Sequence, residues 1–200
     1  MHHYFALHKP FGVLSQFSSE SGHPGILELN LNLPKDVYPV GRLDRDSEGL
    51  LILTNDNRFK SLLTHPDAGF LKKYWVQVEG EVSEETLTTL RSPMTVRIKS
   101  KNVRLSPASA IKIEEPRIQR RIPDIRYRAT VPTSWLEIGL SEGKNRQIRR
   151  MTAQVGNPTL RLIRFQIGQL RLTQLKLRPG EVTSLTTQHL EAIQSIRSQS

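Results

Sequence analysis

Residues 41–56 read GRLDRDSEGLLILTND, from Gly41 to Asp56. The second half of this stretch bears on the fold. Leu50 to Leu53 is a short apolar run bounded by Gly49 on one side and Asn55-Asp56 on the other. Its length favours a buried strand over a helix. The first half bears on chemistry. Three carboxylates (Asp44, Asp46, Glu48) and two guanidinium groups (Arg42, Arg45) crowd one loop. Taken alone, such a loop favours a solvated salt-bridge network. The alternative is a carboxylate at the mouth of a buried strand, desolvated yet held ionised by a nearby arginine, which is what a nucleophilic carboxylate needs. The loop lacks the glycine-rich pattern and Lys-Ser/Thr ending of a phosphate-binding loop. Metal binding by Asp44, Asp46 and Glu48 is disfavoured, because no calcium-loop spacing is present.

Outward from this stretch, the chain alternates between strand and helix signals without repeats or low-complexity linkers. Tyr4 to Leu7 predicts a strand before the turn His8-Lys9-Pro10-Phe11-Gly12, and Ile26 and Leu29 predict a short helix. Phe59, Leu62 and Leu63 fall at helical spacing, in a helix closed by Pro66. Lys73 to Val78 alternates as a strand. Ser83 is a candidate N-cap for a helix carrying Leu87 and Leu90. Thr95 to Ile113 reads as basic strands joined by a turn near Lys101-Asn102. The stretch 114–128 is proline-interrupted and arginine-rich, and reads as a loop or insertion. Trp135 to Leu140 is a strand with Leu136, Ile138 and Leu140 on one face. Asn145 to Val155 is the clearest helix, with Ile148, Met151 and Val155 as its apolar stripe. Arg146 and Arg150 fall opposite that stripe and Arg149 on its flank. Strands are expected at 160–167 and 170–177. Strands interleaved irregularly with a few helices predict an α+β fold.

The chain has 200 residues and a formal charge of +10, with no cysteine. Disulfides, thiolate zinc sites and a cysteine nucleophile are therefore excluded. No window is apolar enough to span a membrane, and the N-terminus lacks the pattern of a secretory signal. A cytoplasmic protein is the expectation. The charge is unevenly placed. Residues 1–90 carry 8 basic and 12 acidic side chains, residues 91–128 carry 11 and 3, and residues 141–171 carry 7 and 1. Positive charge concentrated in two segments suits a polyanion, and nucleic acid is favoured over a merely soluble basic protein or an anionic membrane.

Two further constellations fit that partner. Ser141-Glu142-Gly143-Lys144-Asn145-Arg146-Gln147-Ile148-Arg149-Arg150 is a glycine turn feeding a basic helix, where free N–H groups and arginines favour phosphate. Glu142 is the only acid between Ser141 and Arg171, which leaves those arginines short of protein partners and favours phosphate contact. Lys72-Lys73-Tyr74-Trp75 sets cations beside rings that could stack on a base, although strand aromatics of this kind are more often core residues. The histidines show no metal-binding spacing. The residues by themselves stop at an α+β domain that binds RNA or DNA and carries an acidic loop.

At these residues the sequence resembles a known family. GRLDRDSEGLLILTND is similar to the catalytic motif of the bacterial pseudouridine synthases typified by the small-subunit enzyme A and the large-subunit enzymes B, E and F. LHKPFGVLSQF, KKYWVQVEG and EGKNRQIRRMTAQVGNPTLRLIR follow in family order, and the likeness spans roughly residues 4–185. VPTSWLEI and PTLRLIR bring it nearest to the large-subunit type E enzymes. His8 departs from the asparagine common in relatives.

The resemblance implies a pseudouridine synthase fold, a mixed and mostly antiparallel sheet flanked by helices, in two lobes around an RNA-binding cleft. Residues 1–185 would be the catalytic domain without an N-terminal S4 module, and 186–200 a C-terminal helix or tail. It implies isomerisation of uridine in ribosomal RNA or a ribosome assembly intermediate, by a monomer with no cofactor, no metal and no membrane association. Asp44 matches the nucleophile, Tyr74 the tyrosine that packs on the flipped base, and Lys144 the basic partner of the carboxylate. Arg42 would help order the flipped nucleotide. Lys72, Lys73, Arg146, Arg149 and Arg150 would contact RNA or brace the loop. Two competing readings are an RNA chaperone without catalysis and a different carboxylate enzyme such as a nucleoside hydrolase or a metal-dependent nuclease.

Overall fold

A computed structural model describes residues 1–65, 68–125, 128 and 130–195. The chain divides into two compact units, Met1–Leu71 with Ile163–Ser200, and Lys72–Leu162.

In the first unit, β1 (Tyr4–Lys9) runs antiparallel to β3 (Glu48–Thr54), which also receives the short β2 (Tyr38–Pro39). All seven residues of β3 are buried. That is why its sequence is a continuous apolar run and not an alternation, as in strands covered on both faces. β9 (Thr159–Ile167), which belongs to this unit from Ile163 onward, pairs with β3 in parallel, Gly49 lying against Arg164. A Cβ on Gly49 would stand 2.3 Å from the Arg164 carbonyl oxygen, and its φ is +107°. Only glycine allows the strands to approach this closely. β10 (Leu170–Arg171) and β11 (Val182–Ser184) complete this part of the sheet, in the order β11-β1-β3-β9 with β10 on β9.

Helix α1 (Asn57–Thr64) begins at Asp56, whose carboxylate accepts from the Arg58 and Phe59 amides. The Tyr4 hydroxyl donates to the same carboxylate at 2.6 Å. That bond pushes the tyrosine up to about 12 and holds the Asp56 carboxyl below its ordinary value. The helix follows the expected spacing, whereas Pro66, expected to close it, lies outside the described residues. The predicted strand 170–177 is corrected. After Arg171 the chain turns into a short helix, α4 (Leu172–Leu175), because the Gln174 side chain takes the Arg171 amide at 2.9 Å. Helix α5 (Thr187–Gln194), capped by Thr186, buries Ile193 completely. Residues 196–200 of the expected C-terminal segment lie outside the described residues.

The second unit is built on β4 (Lys72–Glu79), β8 (Thr133–Leu140) and β7 (Ser109–Ile113), antiparallel in the order β4-β8-β7. Helices α2 (Glu84–Leu90) and α3 (Gln147–Gln154) belong to the same unit. Val76, Val78, Leu87, Leu90, Leu136, Ile138, Ile148 and Met151 form its core. Ser83 caps α2 as its sequence predicts, accepting from Thr86. A separate hairpin joins β5 (Met94–Ile98) to β6 (Lys101–Leu105). Its turn is Lys99-Ser100, two residues before the predicted Lys101-Asn102. The described part of the arginine-rich stretch, 114–125 with Arg128, holds no regular element, and Arg126 and Tyr127 lie outside the described residues. Sheet and helices together make the fold α+β, as expected.

Candidate active site

The acidic loop lies between β2 and β3, so Asp44 sits just before a strand that is buried throughout. Its two neighbours are clamped through their backbones. The Ser15 hydroxyl donates to the Leu43 carbonyl at 2.8 Å and accepts from the Leu43 amide at 3.0 Å. On the other side, the Arg45 carbonyl accepts from the Gly12 amide at 2.8 Å. The Ser47 amide closes a turn on the Asp44 carbonyl at 3.0 Å. Asp44 itself is half-buried. The loop therefore presents one carboxylate between two fixed peptide groups, the pre-organisation that a reacting group requires.

Beneath this loop lies Lys9, which has no exposed surface. Its ammonium donates to the carbonyls of Val13 at 2.6 Å and Pro10 at 2.9 Å, and reaches that of Arg45 at 3.4 Å. Burial pulls the amine down from 10.5 to about 7. The charges of Glu48, Asp46 and Asp44 oppose that drop, and Arg164 adds to it. Glu48 is only 2% exposed, so two charged groups lie buried at the base of a loop whose Asp44 and Asp46 are half-buried and whose Arg42 and Arg45 are exposed. Lys9 and Ser15 were not singled out from sequence. Lys9 carried a signal, since strand alternation puts it on the face of Leu7. Ser15 carried none.

Arg42, in the same loop, is exposed. The remaining predicted residues belong to the second unit. Tyr74 is half-buried on β4, opposite Ile138, with its ring packed on the apolar core. Lys72 precedes it on the strand, also half-buried. Lys73 is half-buried, and its ammonium is paired with Glu137 at 2.6 Å.

Lys144 is exposed in the loop that leads into α3. Its amide donates to the Gln147 side-chain oxygen at 3.0 Å. The Gln147 amide returns a bond to the Lys144 carbonyl at 3.2 Å. The Gln147 side chain also donates to Glu142 at 2.7 Å. Gln147 is 4% exposed, and it acts as the internal brace of this loop. Helix α3 starts two residues later than the sequence predicts, since Arg146 takes a left-handed φ of 50° before it.

The arginines here do not lack partners. Arg150 donates to the Arg97 carbonyl at 2.6 Å and to the Asn145 carbonyl at 3.2 Å, and Arg149 lies within 3.4 Å of the Thr159 carbonyl. Counting acids alone overlooks backbone oxygens, which are equally good acceptors for guanidinium. Arg146 is exposed at the helix start. Among the described residues, no group of three His, Cys, Asp or Glu side chains could hold a metal ion. No described helix is long and apolar enough to cross a membrane.

Known proteins resemble this chain in both sequence and fold. Residues 3–154 match the RNA pseudouridylate synthase family, and the chain belongs to it. A protein of Xanthomonas axonopodis pv. citri named ribosomal large subunit pseudouridine synthase E is 49% identical, over 84% of this chain and 87% of its own. The Vibrio vulnificus protein of the same name is 45% identical, over 86% of this chain and 70% of its own. A Bacillus subtilis ribosomal large subunit pseudouridine synthase B is 30% identical, over 96% and 72%. Among solved structures, a pseudouridylate synthase superposes with a TM-score of 0.76 at 26% identity, over 96% of this chain and 74% of that one. The protein is thus an RNA pseudouridine synthase with the α+β fold of its family.

Proposed function

We propose that this enzyme converts uridine to pseudouridine in large-subunit ribosomal RNA, with Asp44 as the nucleophile. The observation that carries the role of Asp44 is the double clamp on Leu43 and Arg45, which holds a half-buried carboxylate on an otherwise rigid loop. The names of the similar proteins support the substrate. Tyr74 is the ring on which the extruded base rests, offsetting part of the few kcal/mol that unstacking costs. Lys144 is the cation of the catalytic set, and Arg42 orders the nucleotide. Lys72, Arg146 and Arg149 contact RNA or brace its binding loop. Lys73, paired with Glu137, and Arg150, bonded to the Arg97 carbonyl, belong to the same set, with Arg150 on its bracing side.

The reaction breaks the bond from sugar to N1, turns the base and rejoins it through C5; C5 releases its proton and N1 takes one up from solvent, so the change is a net isomerisation. No electron or group is transferred in net terms, so no cofactor is required. The enzyme acts as a monomer in the cytoplasm, on free ribosomal RNA or an assembly intermediate. Residues 1–185 carry catalysis, and the segment after them is accessory.

The test is incubation of the purified protein with large-subunit ribosomal RNA transcribed from uridine tritiated at C5. Release of tritium into water, with pseudouridine recovered at a defined position, is the expected result. RNA strand cleavage, or free uracil without pseudouridine, would overturn the proposal.

A further inference from the structure

The β5–β6 hairpin is the most one-sided charged feature of the second unit. Between Met94 and Leu105 it carries Arg97, Lys99, Lys101 and Arg104, and no carboxylate. Its register puts Met94 opposite Leu105 and Val96 opposite Val103, and the first three of these are buried while Val103 is partly so. The opposite face carries the pairs Thr95–Arg104 and Arg97–Asn102, while Lys101 pairs with Ile98 on the apolar side beside the turn. All four cations are exposed. Among the described residues, no hydrogen bond or ion pair engages any of the four side chains.

The turn adds a second observation. Lys99 and Ser100 have φ of 45° and 67°, the left-handed pair of a tight two-residue hairpin turn. Asn-Gly is the sequence that adopts this turn most cheaply. Here a lysine occupies the first position, so a cation stands at the tip at a cost in local strain.

The third observation is the anchor. Arg150 on α3 donates to the Arg97 carbonyl at 2.6 Å, and to the backbone of Asn145 at 3.2 Å. One guanidinium thus ties the hairpin to the loop that holds Lys144. An apolar inner face, Arg97 and Arg104 on the outer face, exposed lysines at and beside the turn, and a fixed base describe an arm for a polyanionic backbone.

We propose that the β5–β6 hairpin is a phosphate-binding arm for the substrate RNA, and that Arg150 is its positioning residue and not itself a phosphate contact. This rests on the reading that the enzyme modifies RNA. Because the four cations face solvent, they would hold the RNA backbone in register without reading its sequence.

The experiment uses the full chain and a large-subunit ribosomal RNA transcript, measuring affinity by fluorescence anisotropy across salt concentrations, and pseudouridine formation at fixed salt. Three variants are compared with the natural protein. The first carries Arg97→Gln, Lys99→Gln, Lys101→Gln and Arg104→Gln. The second removes the same charge from the first unit through Lys35→Gln, Arg58→Gln, Lys176→Gln and Arg178→Gln. The third adds Arg150→Ala to the hairpin variant.

Each phosphate contact contributes about 0.7 (single strands) to 0.9 (B-form duplex DNA) to the slope of log affinity against log salt. The hairpin variant should therefore lose about 3 to 4 from that slope. Its KM should rise at least about tenfold with kcat little changed, since a contact that binds substrate and transition state alike acts on KM. The control should keep its slope to within about 1, and Arg150→Ala should cost nothing further once the hairpin is neutral. An unchanged slope in the hairpin variant overturns the proposal, as does an equal loss in the control, which would reduce the effect to net charge. A further loss from Arg150→Ala would make Arg150 a phosphate contact and overturn its positioning role. If the natural protein forms no pseudouridine, the reading of its function fails. If it does and the hairpin slope is unchanged, only the arm fails.

Discussion

Replacing Lys9 with Met tests the clamp under the acidic loop, and the structure gives both its size and its pH dependence. Met has nearly the length of Lys but no charge and no donor. The carbonyls of Val13 and Pro10 would each lose a bond, at 2.6 and 2.9 Å in the natural protein. An unsatisfied buried carbonyl costs about 1–3 kcal/mol, offset in part by relief of a buried charge. Near neutral pH the net loss should be about 2 kcal/mol.

The pH dependence is more specific. Folding lowers the Lys9 amine from 10.5 to about 7. Between those values the unfolded chain binds the proton that the folded chain has released, so the stability of the natural protein rises with pH. Below 7 both states are protonated and the contribution is flat. Lys9→Met has no such group, and the other titrations are common to both proteins. The stability gap between them, read from urea unfolding, should therefore widen by about 2 kcal/mol from pH 7 to pH 9, at 1.36 kcal/mol per unit once the folded amine is neutral. Turnover should fall by about tenfold or more as the loop loosens, since small misplacements of a reacting group are costly. A gap that stays constant or narrows over that range would refute the reasoning, because Lys9 would then not be a buried amine lowered by desolvation.

Other perturbations follow from the same geometry. Ser15→Ala removes both bonds to the Leu43 peptide and should cost about 1–3 kcal/mol in thermal or urea unfolding, with a lower kcat and a nearly unchanged KM. Gly49→Ala places a Cβ against the Arg164 carbonyl at a left-handed φ, and should destabilise the chain by about 3 kcal/mol or more, measured by loss of soluble folded protein and of melting temperature. Gln147→Leu removes the brace of the Lys144 loop. It should lower kcat more than RNA affinity, and equal loss of both would argue that Gln147 only supports the fold. Addition of EDTA should leave pseudouridine formation unchanged, and inhibition restored by a divalent ion would show a metal requirement.

How far the sequence carries can be seen element by element. β3 was legible because burial on both faces writes itself as an unbroken apolar run, and the α2 start because Ser83 is a capping residue before helical spacing. The segment 170–177 misled, since Leu170 and Leu172 alternate like a strand while the decisive contact is a side chain, Gln174, bonded to a backbone amide. The hairpin turn was placed two residues late, because Lys-Ser has no turn signature and only the pairing of β5 with β6 specifies it.

In the candidate site, Asp44, Tyr74 and Lys144 came from family resemblance, since spacing alone left the acidic loop as a salt-bridge network. Lys9, Ser15 and Gln147 escaped because their roles lie in bonds to distant or local backbone groups, which no residue pattern announces. The arginines of the basic helix looked unpartnered for the same reason. Arg150 and Arg149 are held by carbonyl oxygens, and every residue carries one.

The central claim is that Asp44 makes and breaks the bond to uridine. Its most direct test is Asp44→Asn, a near-isosteric change that keeps the loop and its clamps but removes the nucleophilic charge. The measurement is pseudouridine formed per enzyme in single-turnover reactions with large-subunit ribosomal RNA, alongside RNA affinity. The account predicts loss of product to background with affinity within a few-fold of the natural protein. Pseudouridine formed by Asp44→Asn at a rate near that of the natural enzyme would contradict it.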